Sequence, residues 1–119
     1  MSWDIYIQDL PPVKSVRDLP ADFQLKPIGT RAELERKIME AVGHVEKQDG
    51  WLFVKGSGID ISISFQMETP DLVRYITVHV HGGEQSAACV AAVVKHLGLR
   101  ALDTATGEFL DTDALEESL

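Results

Sequence analysis

From Ile59 to Met67 the chain alternates without a break. Ile59, Ile61, Ile63, Phe65 and Met67 fall on one side, and Asp60, Ser62, Ser64 and Gln66 on the other. Successive side chains of an extended strand point to opposite faces. Nine residues of period two therefore specify a strand with one face on a core and one face in water. Such a strand needs antiparallel neighbours and a cover for its apolar side.

The flanking sequence supplies both. Glu68 to Asp71, with Pro70, makes a turn, and Leu72 to His81 follows with Ile76, Val78 and Val80 inward. Tyr75, Thr77, His79 and His81 point outward. On the other side, Gly56 and Gly58 bracket a turn after a short strand, Trp51 to Lys55. Connections this short make the middle strands antiparallel. Trp3 to Gln8 reads as a first strand, with Trp3, Ile5 and Ile7 on one face and Asp4, Tyr6 and Gln8 on the other. Trp3 and Trp51 each begin an apolar alternation, so both are expected in the core. Leu99 to Asp103 gives a last strand or half-strand, and Phe109-Leu110 a short return. Asp113 and Glu116 can cap a final helical turn.

Two helices are expected. Thr30 and Glu33 form a capping box, and Leu34, Ile38, Ala41 and Val42 recur at helical spacing up to Gly43. Glu33 and Lys37 lie one turn apart on the wet side. The second helix, about Glu84 to Leu97, is apolar nearly all round, which requires burial on more than one side. Gly98 ends it. The expected class is α+β: a two-layer sandwich with a mostly antiparallel sheet in β-α-β-β-β-α-β order and both helices on one face. The 119 residues make one domain. Within it, 9–29 is a Pro-rich connection with Pro11, Pro12, Pro20 and Pro27, where regular structure is not expected, and 101–119 is an acidic region.

The formal net charge is −8. Asp103, Glu108, Asp111, Asp113, Glu116 and Glu117 gather in the last 19 residues without a Lys or Arg; the rest of the chain carries 13 acids against 11 bases. Such a field repels phosphate backbones and attracts a basic protein. Nucleic-acid partners are therefore not expected, and because no segment approaches the roughly 18 apolar residues of a membrane span, neither is a membrane. The single cysteine, Cys89, allows no internal disulfide. The opening Met-Ser-Trp-Asp-Ile-Tyr lacks the basic and apolar stretches of a signal peptide, so a cytoplasmic location is expected.

The opening Trp3-Asp4-Ile5-Tyr6-Ile7-Gln8-Asp9-Leu10-Pro11 and the later Asp103-Thr104-Ala105-Thr106-Gly107-Glu108-Phe109 together resemble a family of short uncharacterised bacterial proteins. That family pairs a W-D-I-x-I-Q-D-L-P start with a D-T-x-T-G-E-F end. The resemblance implies a bacterial origin and passes on no catalytic residues. In size and acidity the chain is also similar to immunity proteins of bacterial toxin systems.

Several residues are site candidates. His79 and His81 are two apart on a strand, so both rings leave the outer face, where two imidazoles can share a metal. Asp60 or Glu68 on the neighbouring strand is a candidate third ligand. Gly82-Gly83 precedes a helix and matches neither the P-loop nor the dinucleotide fingerprint, which reads as a tight turn. Cys89 lies in an apolar helical run and is expected to be buried. His44 and His96 suit helix C-termini electrostatically. No catalytic cluster and no cofactor emerges. The expected function is a non-enzymatic protein-binding module of a bacterial cytosol, of immunity or adaptor type, with the acidic residues Asp103, Glu108, Asp111, Asp113, Glu116 and Glu117 facing the partner. The alternative is a small metal-binding protein or metal-dependent enzyme using His79 and His81. The outward Tyr6 and Tyr75 are candidates for a homodimer contact.

Overall fold

In the computed structural model, residues 3–10, 16–23, 26–43, 45–56 and 58–110 are described. The strongest pattern in the sequence forms the centre of the fold. β5 (Ile59–Met67) pairs with β4 (Trp51–Gly56) on one side and with β6 (Leu72–Gly82) on the other. Beyond β6 lie β1 (Trp3–Gln8) and then β7 (Arg100–Asp103). Every pairing is antiparallel, and with β3 (Glu46–Gln48) at the edge the sheet order is β3-β4-β5-β6-β1-β7. The chain is thus an α+β fold.

Two short strands were not foreseen. β2 (Gly29–Thr30) pairs with β6 at the end of the Pro-rich connection, which also holds a short 3-10 helix at Val16–Asp18. β3 (Glu46–Gln48) is an edge strand with all three residues exposed. It joins β4 through Asp49 and Gly50, both at positive φ (51° and 83°), as a two-residue hairpin turn of the mirror-image type requires.

The register sorts the side chains. Leu52, Ile63, Val78 and Ile5 sit side by side across four strands, and Val54, Ile61 and Val80 form the next row. These inward residues share one core with Leu34 and Ile38 of α1 (Arg31–Val42) and with Val90, Val93 and Val94 of α2 (Ser86–Leu97). The helices therefore cover this face of the sheet. Phe65 is buried there, as expected. Glu40 and His96, 3.1 Å apart, link one helix to the other.

Local contacts fix each helix end. Thr30 caps α1, its hydroxyl accepting from the Glu33 N–H at 3.3 Å. The Glu33 carboxylate lies 3.4 Å from Lys37, one turn on. Arg31 ties this first turn to the hairpin. Its guanidinium donates to the Gly50 carbonyl at 2.6 Å and to Glu35 at 2.9 Å, and it lies 5.1 Å from the centre of the Phe65 ring. Glu35 also meets Lys47 at 3.1 Å.

α2 begins at Ser86, two residues later than the sequence suggests. Gly83 has φ +88°, and a Cβ there would stand 2.4 Å from the Gly58 carbonyl oxygen. This close approach is the reason for glycine, in agreement with the tight-turn reading. The Gln85 N–H donates to that same carbonyl at 2.8 Å. Ser86 is fully buried; its hydroxyl donates to the Gly82 carbonyl at 2.6 Å and accepts from the Asp60 N–H at 3.0 Å. No helix among the described residues is long and apolar enough to cross a membrane.

Candidate functional site

Neither α1 nor α2 packs on the other face of the sheet. The alternation predicts that it is wet, and its side chains correct that expectation. Ser62 and Thr77 point outward, yet each is only 6% exposed. Both are small; His79 and His81 stand beside Ser62, and the Gln66 amide donates to the Thr77 hydroxyl at 3.4 Å. The hairpin turn sets the parity of β4: Leu52 and Val54 go inward, so Trp51 and Phe53 go outward. Trp51 is 37% exposed and not in the core. Trp3 does pack against the core.

One row across the sheet reads Phe53, Ser62, His79, Asp4. Ser62 is the floor between two taller walls. Trp51 and Phe53 of β4 form one wall, with ring centres 6.3 Å apart and planes within 18°. His79 and His81 of β6 form the other, 6.5 Å apart and within 25°. Trp51 leans across to His79, 5.6 Å between centres, and closes one end. The result is an open recess of about 370 Å³ lined by Trp51, Phe53, Ser62, His79 and His81.

Its polar contacts are specific. The His79 Nδ1 lies 2.6 Å from a carboxylate oxygen of Asp4. A carboxylate only accepts, so Nδ1 carries the proton; in the neutral ring Nε2 is then an acceptor. The His81 Nε2 lies 2.8 Å from the Ser62 hydroxyl. Asp4 is the residue that sequence reasoning missed: it is 75 positions from His79 and reaches it only through the β1–β6 register. The two acids proposed as a third metal ligand lie otherwise. Glu68 pairs with Arg74 at 3.6 Å, and Asp60 sits opposite Lys55. Among the described residues, no three His, Cys, Asp or Glu side chains cluster to hold a metal ion.

The same outer face carries Tyr6 and Tyr75, ring centres 5.0 Å apart. The sheet edges beside it are closed to strand addition. β3 is short, exposed and carries Glu46 and Lys47. β7 is covered by the return at Phe109, which bridges to Leu102, and by the Leu110 N–H donating to Ala101 at 2.9 Å. Arg100 stacks over the Phe109 ring at 3.8 Å.

The acidic candidates divide. Asp103 folds into its own turn, its carboxylate accepting from the Ala105 N–H at 2.9 Å. Glu108 is exposed. Asp111, Asp113, Glu116 and Glu117 lie outside the described residues, as do the proposed last helical turn and His44. Cys89 is partly buried and lines a recess of about 300 Å³ with Ala41, Val42 and Val54. Burial pushes its thiol pKa up, which disfavours the reactive thiolate.

No protein-family model, no curated protein and no solved structure matches this chain.

Proposed function

We propose that the chain is a non-enzymatic protein-binding module of immunity or adaptor type, and that the face of its sheet opposite α1 and α2 is a protein contact. One observation carries this reading: the face gathers Trp51, Phe53, Tyr6 and Tyr75 around an open recess. Interface cores are enriched in aromatic side chains, and hot spots are enriched in Trp, Tyr and Arg. The acidic residues Asp103, Glu108, Asp111, Asp113, Glu116 and Glu117 would serve a separate task, speeding the approach of a basic partner. The test compares wild type with Trp51→Ala in crosslinking and in capture from the native host. Loss of an identified protein contact in Trp51→Ala supports the face. Contacts that survive Trp51→Ala and vanish with Met39→Ala, on the exposed side of α1, would move the binding surface to the helix layer.

A second reading, metal binding by His79 and His81, draws on Asp4. By holding Nδ1 it leaves Nε2 of His79 available, as outer-shell carboxylates do for metal-bound histidines. Stoichiometric transition metal in untagged protein, lost in the His79→Ala, His81→Ala double variant, would establish it; metal-free protein would remove it.

A further inference from the structure

The turn that sets the parity of β4 also brings a reactive pair of residues to the surface. Asp49 is the only aspartate of the chain followed by glycine, and the chain has no asparagine. A glycine amide nitrogen can approach the preceding aspartate Cγ because no Cβ obstructs it. After every other aspartate stands a residue with a larger side chain. Both residues of the pair are exposed. Among the described residues, nothing pairs with the Asp49 carboxylate and nothing accepts from the Gly50 N–H. Asp49 is also the only non-glycine among them at positive φ, a conformation unfavourable for a residue with a side chain. The contact that holds the turn from outside is Arg31, whose guanidinium donates to the Gly50 carbonyl at 2.6 Å.

We propose that Asp49 is a site of spontaneous isomerisation to isoaspartate, and that Arg31 sets its rate. The Gly50 amide nitrogen attacks Cγ of the Asp49 carboxyl group in its acid form. A nitrogen–carbon bond forms, the carbon–hydroxyl bond breaks, and the hydroxyl leaves with the amide proton as water. The product is a cyclic imide. Water then opens the ring at either carbonyl. Cleavage between Cγ and the nitrogen restores aspartate. Cleavage between the former main-chain carbonyl and the nitrogen leaves the main chain running through Cβ and Cγ. Nothing is oxidised or reduced, and water is the only co-reactant.

Ring closure requires rotation about the Asp49 Cα–C bond, which the paired hairpin restricts. The reaction therefore proceeds from the locally opened turn, and its rate follows the open population. Arg31 joins the Gly50 carbonyl to the first turn of α1 and so lowers that population. The product changes the fold locally. The two-residue turn pairs Gln48 with Trp51. Isoaspartate inserts an extra main-chain atom between them, and the turn no longer fits the strands. β3 then parts from β4 at the base of the tryptophan wall.

The test is prolonged warm incubation of the full folded chain near neutral pH. Isoaspartate is counted with an isoaspartate-specific carboxyl methyltransferase and labelled S-adenosylmethionine, and located by peptide mapping. Wild type is expected to accumulate it at Asp49 ahead of every other aspartate. Arg31→Gln should raise the rate by about tenfold, the open population gained when a charged hydrogen bond is lost. Asp49→Asn suits the same turn and tests the attack with Arg31 in place. It releases ammonia in place of water and should convert faster, to the same product. In the isomerised protein, the amides of Glu46, Lys47 and Gln48 should lose protection from exchange while β5 and β6 keep theirs. Isoaspartate that forms in the urea-unfolded chain and not in the folded one overturns the proposal, because the turn then shields the pair. Equal rates in wild type and Arg31→Gln overturn the role of Arg31. A β3 equally protected before and after isomerisation overturns the change in the hairpin.

Discussion

The two faces of the same sheet exclude water by different means. On the inner face, Ile61, Ile63, Phe65, Ile76, Val78 and Val80 are covered by two helices, and burial is a property of the layer. On the outer face, Ser62 and Thr77 are just as hidden, and the described contacts there are side chains of neighbouring strands, His81 at Ser62 and Gln66 at Thr77. Inward burial stabilises the fold. Outward burial shapes a surface whose aromatic groups remain available to something else. A strict alternation fixes which residues go to which side, but does not make the second side bare.

The comparison can be broken most forcefully with one residue type on opposite faces. Phe65→Ala on the inner face should cost about 3–5 kcal/mol in urea unfolding, as a large core truncation does. Phe53→Ala, on the outer face, should cost only about 1 kcal/mol. Equal losses would show that the outer face is core in all but name. Between these values lies Ser86→Ala, which strips the Asp60 N–H and the Gly82 carbonyl of a buried partner. It should cost about 1–3 kcal/mol and is read from the same transitions.

The smallest effect concerns Glu35. Partial burial raises its pKa, but hydrogen bonds and charge from Arg31 and Lys47 overcome this and hold it below the ordinary 4.5. A carboxylate with a depressed folded-state pKa adds stability above its unfolded value. That stability is lost as pH falls below 4.5 and through the depressed value. Glu35→Gln should therefore be less stable near neutrality and lose less of its melting temperature on acidification. Parallel acid profiles for the two proteins would remove Glu35 from the account.

Much of the inner face was legible in the sequence and little of the outer one. The period-two run of β5 and the capped, amphipathic α1 carry their own evidence. In β4, Trp51, Leu52, Phe53 and Val54 are all apolar, so neither parity stands out. What decides it is the Asp49–Gly50 turn, whose two-residue length pairs Gln48 with Trp51. That dipeptide is a recognisable hairpin signal, hidden here because Glu46, Lys47 and Gln48 show no alternation. Asp4 and His79 had no local signal at all, since only the register of the first strand on the sixth joins them. The late start of α2 follows from Ser86, which pins backbone groups of β5 and β6 instead of capping from outside.

Arg31 has a consequence for how the molecule fluctuates. Its guanidinium holds the tip of the β3–β4 hairpin and the first turn of α1 together, and stacks on Phe65 from the central strand. Trp51 directly follows that tip. A local opening that swings the tryptophan wall outward must also release the start of the helix on the opposite side of the sheet. The hairpin and the helix therefore belong to one cooperative unit of opening, and their amides should exchange with similar protection. The aromatic wall on one side is, in effect, only as mobile as the helix on the other allows.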